Sequence, residues 1–244
     1  MSILKKICGK LLGFLLPEKI PEFAAEMYIN LAKNAKTEFF QGIAKEITGR
    51  INKRCDVWNL LDIGTGPGFL LFEIAELESD VELVGIDLSE KLIKFAKGES
   101  EKRDFGDIHF EIGDANHLNF EDDTCDFIIS SGVLHSLKNP VAAIKEWLRV
   151  LKPGHDLWIY DPAVLIPNQQ SDFCNGKRIF DEMAKNLKSR KDRLLFRLMC
   201  WISSLPPRPM PLECIYKIIQ DAGLTELVSV ENRGSYVKIA IIKK

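Results

Sequence analysis

Residues 60–69 read Leu60-Leu61-Asp62-Ile63-Gly64-Thr65-Gly66-Pro67-Gly68-Phe69. An apolar run that ends in an acid and leads into alternating glycines is typical of a buried strand followed by a tight turn and a helix. Glycine lets the backbone of such a turn approach a ligand closely, because it has no Cβ and tolerates a positive φ. Since α/β sheets bind ligands at the carboxyl ends of their strands, this stretch predicts the floor of a cofactor site.

Strand and helix patterns alternate around this stretch. We predict strands at residues 57–62, 81–87, 108–113, 126–131, 156–161, 225–231 and 236–242. Helices are predicted between them, one capped by Ser89, one starting at Asn139-Pro140 and one over residues 211–222. The connection between the last two strands is too short for a crossover, so they must be antiparallel. The pattern predicts an α/β fold with a doubly wound, mostly parallel, seven-stranded sheet whose last strand is antiparallel.

Four segments are expected along the chain. They are a helical N-terminal cap (1–35), a cofactor-binding core (36–161), a helical insertion or lid after strand five (162–210), and the C-terminal part of the core sheet (211–244). The insertion carries nine basic and four acidic side chains. This excess fits either a solvated helix face over the cleft or an anionic partner. RNA is not favoured, because aromatic side chains suited to stacking are not interleaved with the basic ones.

The N-terminal segment is amphipathic. In residues 1–16 the apolar side chains share one helical face and lysines lie opposite. The segment therefore packs on the domain or over the cofactor cleft, or it lies on a membrane surface. No run is long enough to span a membrane. The six cysteines form no C-x-x-C pair and no zinc spacing. They predict reduced thiols in a cytoplasmic protein and no metal site. Membrane contact, if the protein makes it, is expected to be peripheral and through residues 1–16.

Two cofactors use this architecture. A dinucleotide site requires G-x-G-x-x-G and an acid about 20 residues further on. In that pattern the third glycine would stand at position 69, but here Phe69 occupies this position and the third glycine is Gly68. In addition, Asp62 lies two residues before the first glycine, Gly64. Asp87, at the end of the second strand, fits either cofactor, because both present a ribose diol there. The glycine spacing, Asp62 and the antiparallel final pair favour a cofactor other than a dinucleotide.

The motifs together resemble the class I S-adenosylmethionine-dependent methyltransferases, in particular their small-molecule branch. Residues 61–68 look like the first motif of that family, 85–89 like the second, 113–115 like the third, and 127–135 with 147–154 like the remainder. The resemblance covers residues 36–160 closely and 211–244 in general pattern. It implies the Rossmann-like methyltransferase fold and S-adenosylmethionine as the cofactor.

The resemblance also implies roles for individual residues. The turn formed by Gly64, Thr65, Gly66 and Gly68 would lie against the methionine part of the cofactor, with Asp62 ordering the turn or meeting the ammonium group. At the ribose, Asp87 would accept both hydroxyls. At the adenine, Leu88 would pack on the ring, Asp114 would accept from the amino group and Ala115 would donate a backbone N–H to the ring. Ser131 would place its carbonyl near the ammonium group.

The catalytic candidates lie at the ends of strands four and five. Methyl transfer from a sulfonium needs mainly alignment of the acceptor and exclusion of water, and a base helps if the acceptor is a hydroxyl or an ammonium. His135 is a candidate base or a pocket wall. Asp161 is a candidate base, a cation-binding group or a cap on the loop, and Tyr160 is expected to face the same cleft.

The predicted function is methyl transfer to a small-molecule acceptor that is amphiphilic or anionic. The alternatives are an RNA- or lipid-directed methyltransferase and an NAD(P)-dependent reductase on a related fold. A relative that binds the cofactor without catalysis is less favoured, because none of the motifs is eroded. The glycine turn specifies the methyl donor and carries no information on the acceptor, which we expect residues 1–35 and 162–210 to select.

Overall fold

The computed structural model describes residues 20, 22, 25–35, 37–51, 58–78, 80–164, 210–224, 228–233 and 236–244. The predicted amphipathic segment 1–16 and nearly all of the predicted insertion 162–210 lie outside these residues. The helices are α1 (Ala25–Ala35), α2 (Thr37–Arg50), α3 (Phe69–Leu77), α4 (Glu90–Lys102), α5 (Pro140–Val150) and α6 (Leu212–Asp221). The strands are β1 (Trp58–Ile63), β2 (Val81–Asp87), β3 (Ile108–Ile112), β4 (Cys125–Ser131), β5 (Leu151–Val164), β6 (Met210–Pro211), β7 (Val228–Asn232) and β8 (Tyr236–Ile242).

The sheet has the order β3-β2-β1-β4-β5-β8-β7, and β6 pairs separately with the end of β5. The first five strands are parallel. β8 runs antiparallel to both of its neighbours, β5 and β7. The predicted seven-stranded, mostly parallel sheet with an antiparallel last strand is therefore confirmed. The order reverses between β1 and β4, which places the carboxyl ends of these two strands at a topological switch point, where open α/β sheets bind ligands.

Two apolar cores cover the two faces of the sheet. One contains the inner sides of α2, α3 and α4, and the other contains those of α5 and α6. α3 is apolar around most of its circumference, with Phe69, Leu70, Leu71, Phe72 and Ile74 all buried. A helix of this composition is stable only when it is covered on several sides, and α3 lies between the sheet and α2. The glycine turn at its start is consequently held by a well-packed element.

The start of α5 agrees with the prediction, whereas the start of β5 does not. α5 starts as expected, because Pro140 is its first residue and the Asn139 side chain accepts a hydrogen bond from the N–H of Ala142 at 3.1 Å. β5 begins earlier than predicted, at Leu151, directly after α5. The N–H of Gly154 donates to the Lys243 carbonyl at 2.8 Å. Residues 152–154 therefore belong to the sheet, because their backbone pairs with the C-terminal residues of the chain.

Among the residues that the structure describes, no helix is long and apolar enough to cross a membrane.

Candidate functional site

The glycine turn after β1 is closed against the end of β2. The N–H groups of Gly64 and Thr65 both donate to the Ile86 carbonyl, at 2.8 and 2.9 Å. Gly64 has a φ of 74°, in the left-handed region that favours glycine. A Cβ at this position would also overlap the side chain of Val133, which lies in the loop after β4. The turn therefore needs glycine both for its backbone conformation and for this close approach.

The two other glycines of the turn, Gly66 and Gly68, also have a positive φ and close neighbours. Gly66, with a φ of 57°, lies beneath the ring of Tyr28, and Gly68, with a φ of 80°, is the N-cap of α3. A Cβ on Gly68 would meet Phe110 of β3 and Ala96 of α4. The third glycine thus allows α3 to start close to the neighbouring strand and helix.

Asp62 is a buried carboxyl group at the base of this turn. Its side chain is 2% exposed, and its Oδ1 atom has no hydrogen-bond partner among the described residues; the same is true of Thr65 Oγ1 beside it. Burial raises the pKa of Asp62 to about 7; the neighbouring Thr65 side chain partly offsets this increase, and the negative charge of Asp87 adds to it. Buried polar atoms are almost always paired, so the unpaired atoms Asp62 Oδ1 and Thr65 Oγ1 indicate a place where a ligand completes the hydrogen bonding.

Asp87 connects the glycine turn to the turn after β2. Its Oδ2 accepts from the N–H of Gly66 at 3.0 Å and its Oδ1 from the N–H of Ser89 at 2.8 Å. Burial raises the pKa of Asp87, although these two hydrogen bonds lower it. Each carboxylate oxygen has a second lone pair, so both can still accept a hydroxyl. Leu88 follows half-buried at the same edge.

The turn after β3 carries the residues expected at the adenine. Asp114, whose side chain is 43% exposed, accepts at Oδ1 from the N–H and the side-chain amide of Asn116, at 2.8 and 2.9 Å. Ala115 is buried, and its carbonyl accepts from Trp147 Nε1 at 2.7 Å. The connection between β3 and β4 has no helix of its own. It is held by α5 instead, because Glu146 Oε1 also accepts the N–H of Leu118 at 2.9 Å.

The ends of β4 and β5 bring Ser131, His135 and Asp161 to the same edge of the sheet. Ser131 is the last residue of β4 and is half-buried, and the N–H of the following Gly132 donates to the Tyr160 carbonyl at 2.7 Å. His135 lies in a short 3₁₀ helix, Leu134–Ser136. Its Nδ1 is 2.9 Å from Asp161 Oδ1.

Tyr160 and Asp161 do not share a cleft. Consecutive residues of a strand point to opposite faces, and the Tyr160 ring packs in the core beneath α2, where its hydroxyl donates to Glu46 Oε2 at 3.1 Å. Burial raises the pKa of Tyr160 further above its already high ordinary value, and the charge of Glu46 adds to this. A tyrosine that stays protonated and is hydrogen-bonded in a core is poorly suited to act as a base, so this geometry does not support the predicted catalytic role.

Three contributors to the site were not predicted from the sequence. Tyr28 of α1 lies over Gly66, Glu22 accepts at Oε1 from Ser89 Oγ at 3.2 Å, and Trp147 holds Ala115 as described above. Glu22 is also bonded to the start of α4, because Lys91 Nζ donates to the Glu22 carbonyl at 2.9 Å. The positions of all three contributors depend on tertiary packing. For Tyr28 and Glu22, the general expectation of an N-terminal cap was the one sequence signal.

The charge of the site discriminates between the two cofactors considered. Asp87 suits the ribose of either cofactor, but Asp62 adds a buried carboxyl group beneath the turn, where a dinucleotide would place its pyrophosphate. S-adenosylmethionine carries an ammonium and a sulfonium group, and its ribose offers two hydroxyl donors. The unpaired Asp62 oxygen and the free lone pairs of Asp87 fit these groups. Within the described ranges, no set of three or more His, Cys, Asp or Glu side chains is arranged to hold a metal ion.

Comparisons with known proteins agree with this assignment. A family model described as a methyltransferase domain matches residues 56–222. The chain is 26% identical over 151 residues to norajmaline N-methyltransferase of Rauvolfia serpentina, covering 61% of this chain and 51% of that protein. It is 26% identical over 181 residues to phosphoethanolamine N-methyltransferase of Triticum aestivum, covering 74% of this chain and 30% of that protein. The chain thus spans about half or less of the length of these relatives.

The fold matches solved structures over nearly its whole length. A SAM-dependent methyltransferase from Aquifex aeolicus superimposes with a TM-score of 0.63 at 18% identity, and the match covers 93% of this chain and 100% of that one. At this identity the likeness concerns the fold alone.

Proposed function

The chain belongs to the class I S-adenosylmethionine-dependent methyltransferases, and we propose that it transfers a methyl group from that cofactor to a small-molecule acceptor. The observation that carries the proposal is Asp62, a carboxyl group that is 2% exposed and has an unpaired oxygen beneath a glycine turn. A buried, unpaired carboxyl group destabilises the protein unless a cation or a donor meets it. The cofactor's ammonium group would supply both.

The residues that would hold the cofactor form a continuous path along the sheet edge. Asp62 would accept from the ammonium group, and the turn at Gly64–Gly66 would contact the methionine part. Asp87 would accept the ribose hydroxyls, and the adenine would lie between Leu88 and Ala115. When bound, the cofactor supplies a methyl group on a positively charged sulfur, which makes the leaving group a neutral thioether. The chain's own contribution is then to orient the acceptor in line and to exclude water.

Tyr28 supports a site closed from the N-terminal side. Its ring lies on Gly66, and Glu22, which precedes α1, is bonded to Ser89 and Lys91 at the start of α4. These contacts place Glu22 and Tyr28 beside the turn that would hold the cofactor. We infer that α1 covers the bound cofactor and limits the access of water.

The chemical class of the methyl acceptor is a further part of the proposal. We propose an amphiphilic or anionic small molecule, because residues 162–210 combine an excess of basic side chains with an apolar stretch. Two relatives are by their names methyltransferases of norajmaline and of phosphoethanolamine, which supports a small-molecule acceptor. An RNA acceptor is less favoured, since the basic residues are not interleaved with aromatic ones. Peripheral membrane contact through residues 1–16 in the cytoplasm remains a prediction, and binding of the full chain to anionic vesicles would test it.

A two-step experiment tests the proposed function. Calorimetric titration of the full chain with S-adenosylhomocysteine should show one site, and titration with NADH should show none. A methyl-labelled cofactor is then incubated with the protein and a metabolite, lipid and nucleic-acid extract of the expression host. Label in the small-molecule fraction supports the proposal. Label in RNA, or no binding of S-adenosylhomocysteine, contradicts it.

A further inference from the structure

The connection between β3 and β4 rests on one side of α5. Three side chains of α5 bond to its backbone: Trp147 to Ala115, Glu146 to Leu118, and Arg149 to Leu118 and Phe120. These four hydrogen bonds are between 2.7 and 3.1 Å long. Because each of them ends on a backbone atom, α5 sets the path of the chain through this connection.

The first part of the connection, residues 114–117, is a turn closed by its own hydrogen bonds. Asp114 Oδ1 accepts from the N–H and the side-chain amide of Asn116. The Asp114 carbonyl accepts from the N–H of His117 at 3.0 Å. These bonds fix Asp114 and Ala115 relative to each other, but they lie within the turn. The position of the turn in the protein therefore depends on bonds to its neighbours.

Two bonds relate this turn to the neighbouring elements. The N–H of Gly113, just before the turn, donates to the carbonyl of Asp87 at the end of β2, at 3.2 Å. From α5, Trp147 Nε1 donates to the Ala115 carbonyl at 2.7 Å. The Trp147 side chain is fully buried, and an indole has one donor and no acceptor. Trp147 thus holds Ala115 in place relative to the strand that carries Asp87.

The position of Ala115 matters because Asp114 and Ala115 are the residues that would contact the adenine. We propose that Trp147 is a positioning residue that makes the site specific for adenine. It acts through Ala115, whose N–H it holds at the ring while Asp114 accepts from the amino group. This inference rests on the proposed function and goes beyond it, because it assigns the choice of nucleobase to a side chain in the core.

Hypoxanthine is the base that this arrangement should reject. It has nearly the same shape as adenine, but the hydrogen-bonding groups that face the turn are exchanged. Adenine presents an amino donor beside an acceptor ring nitrogen, whereas hypoxanthine presents a carbonyl acceptor beside a ring N–H donor. An acceptor would then face the Asp114 carboxylate, and a donor would face the Ala115 N–H. A site that leaves polar groups unpaired in this way rejects the wrong ligand strongly, provided that the turn cannot move away.

The test compares two ligands by calorimetric titration of the full chain, S-adenosylhomocysteine and S-inosylhomocysteine. The unsubstituted chain should prefer the adenine ligand at least about 100-fold. Trp147→Phe keeps an aromatic ring in the core and removes the N–H. It should lower this preference at least about tenfold, mainly through weaker binding of S-adenosylhomocysteine.

Trp158→Phe is the matched control. Trp158 is also buried, and its Nε1 donates to Asp156 Oδ1 at 3.4 Å in the core on the other face of the sheet. The control therefore loses the same donor and the same volume without a link to Ala115. Since distant sites act independently, its preference for adenine should stay within about threefold of that of the unsubstituted chain.

The preference is a ratio of two affinities, so it separates positioning from stability. If Trp147 only stabilised the fold, Trp147→Phe would lower the melting temperature and leave the ratio unchanged, and the inference would be overturned. A ratio close to unity in the unsubstituted chain would overturn it as well. If S-adenosylhomocysteine did not bind at all, the proposed function itself would fail. Asp114→Ala, which removes the direct contact, should lower the ratio at least as far as Trp147→Phe does.

A second variant keeps the test decisive if Trp147→Phe does not fold. Replacement of Trp147 by 3-benzothienylalanine retains the bicyclic ring and exchanges the N–H for a sulfur atom. The same loss of preference is expected, because the hydrogen bond to Ala115 is again missing. An undiminished preference for the adenine ligand in this variant would overturn the inference.

Discussion

The two halves of the ligand edge are built in different ways. The donor half, which would hold the methyl donor, is formed by the turns after β1, β2 and β3. Here the turn after β1 is bonded to the end of the neighbouring strand β2, because Asp87 accepts from the N–H of Gly66 and the Ile86 carbonyl from that of Gly64. The acceptor half, which would hold the methyl acceptor, is formed by the ends of β4 and β5, where His135 pairs with Asp161. It is supported on the opposite face of β5 by α2 and β8, through Glu46 and Lys238, which are 192 positions apart.

This difference has a functional consequence. The donor half must bind one invariant cofactor, so short motifs with fixed spacing are sufficient. The acceptor half depends on how separate elements pack, so its chemistry can change while the motifs stay the same. The two halves should therefore respond separately to substitution.

The largest effect is expected in the donor half, from Asp87→Ala. The substitution removes two acceptor oxygens that would bind the ribose hydroxyls and that also hold the N–H groups of Gly66 and Ser89. Hydrogen bonds to a charged group contribute about 1.5–3 kcal/mol each, so affinity for S-adenosylhomocysteine should fall at least about 100-fold in calorimetry. Glu82→Gln, an exposed substitution on the same strand, is the control. Unchanged affinity in Asp87→Ala would remove the proposed ribose contact.

A smaller effect, confined to stability, is expected in the acceptor half from Glu46→Gln. Glu46 Oε2 accepts from Lys238 Nζ at 2.8 Å and from the Tyr160 hydroxyl at 3.1 Å. Burial raises the pKa of Glu46, but Lys238 and the other donors outweigh it and the net shift is downward. Lys238 is 6% exposed and stacks on the Trp158 ring, so losing its carboxylate partner leaves a nearly buried charge.

Because Glu46 itself is partly exposed, we expect Glu46→Gln to lower the free energy of unfolding by about 2 kcal/mol, measured by denaturant titration. The affinity for S-adenosylhomocysteine should not change. Glu38→Gln, exposed on the same helix, is the matched control. A loss of cofactor affinity in Glu46→Gln would show that the two halves are coupled.

The smallest effect is a pH dependence within the donor half. The pKa of Asp62 is raised from 3.8 to about 7, so the folded protein without ligand holds this proton more tightly than the unfolded chain. The stability linked to Asp62 is therefore full below about pH 4 and is lost as the pH rises to 7. A cationic ammonium group favours the ionised carboxylate, so cofactor affinity should change in the opposite direction.

Calorimetry between pH 5.5 and 8.5 should show affinity for S-adenosylhomocysteine falling up to about tenfold per pH unit below 7. Proton release on binding, measured at pH 6 in buffers of different ionisation enthalpy, should accompany it. Asp62→Asn should bind more weakly at pH 8 and lose this part of the pH dependence. An equal pH dependence in Asp62→Asn would assign it to another group.

The sequence by itself determined the sheet and the strand directions. Alternating strand and helix patterns specify a parallel sheet, and a short connection specifies the antiparallel last pair, because these are properties of neighbouring residues. The spacing of Gly64, Gly66 and Gly68 and the acids at the strand ends are local patterns too, and they predict the residues of the donor half.

The tertiary structure decided which side chains meet. The sequence placed Tyr160 and Asp161 next to each other, but the pleat of β5 directs them to opposite faces, one to Glu46 and the other to His135. The sequence did not indicate that Tyr28 lies on Gly66 or that Trp147 donates a hydrogen bond to the Ala115 carbonyl. Contacts of this kind depend on the register of strands and the packing of helices far apart in the chain, which local patterns do not encode.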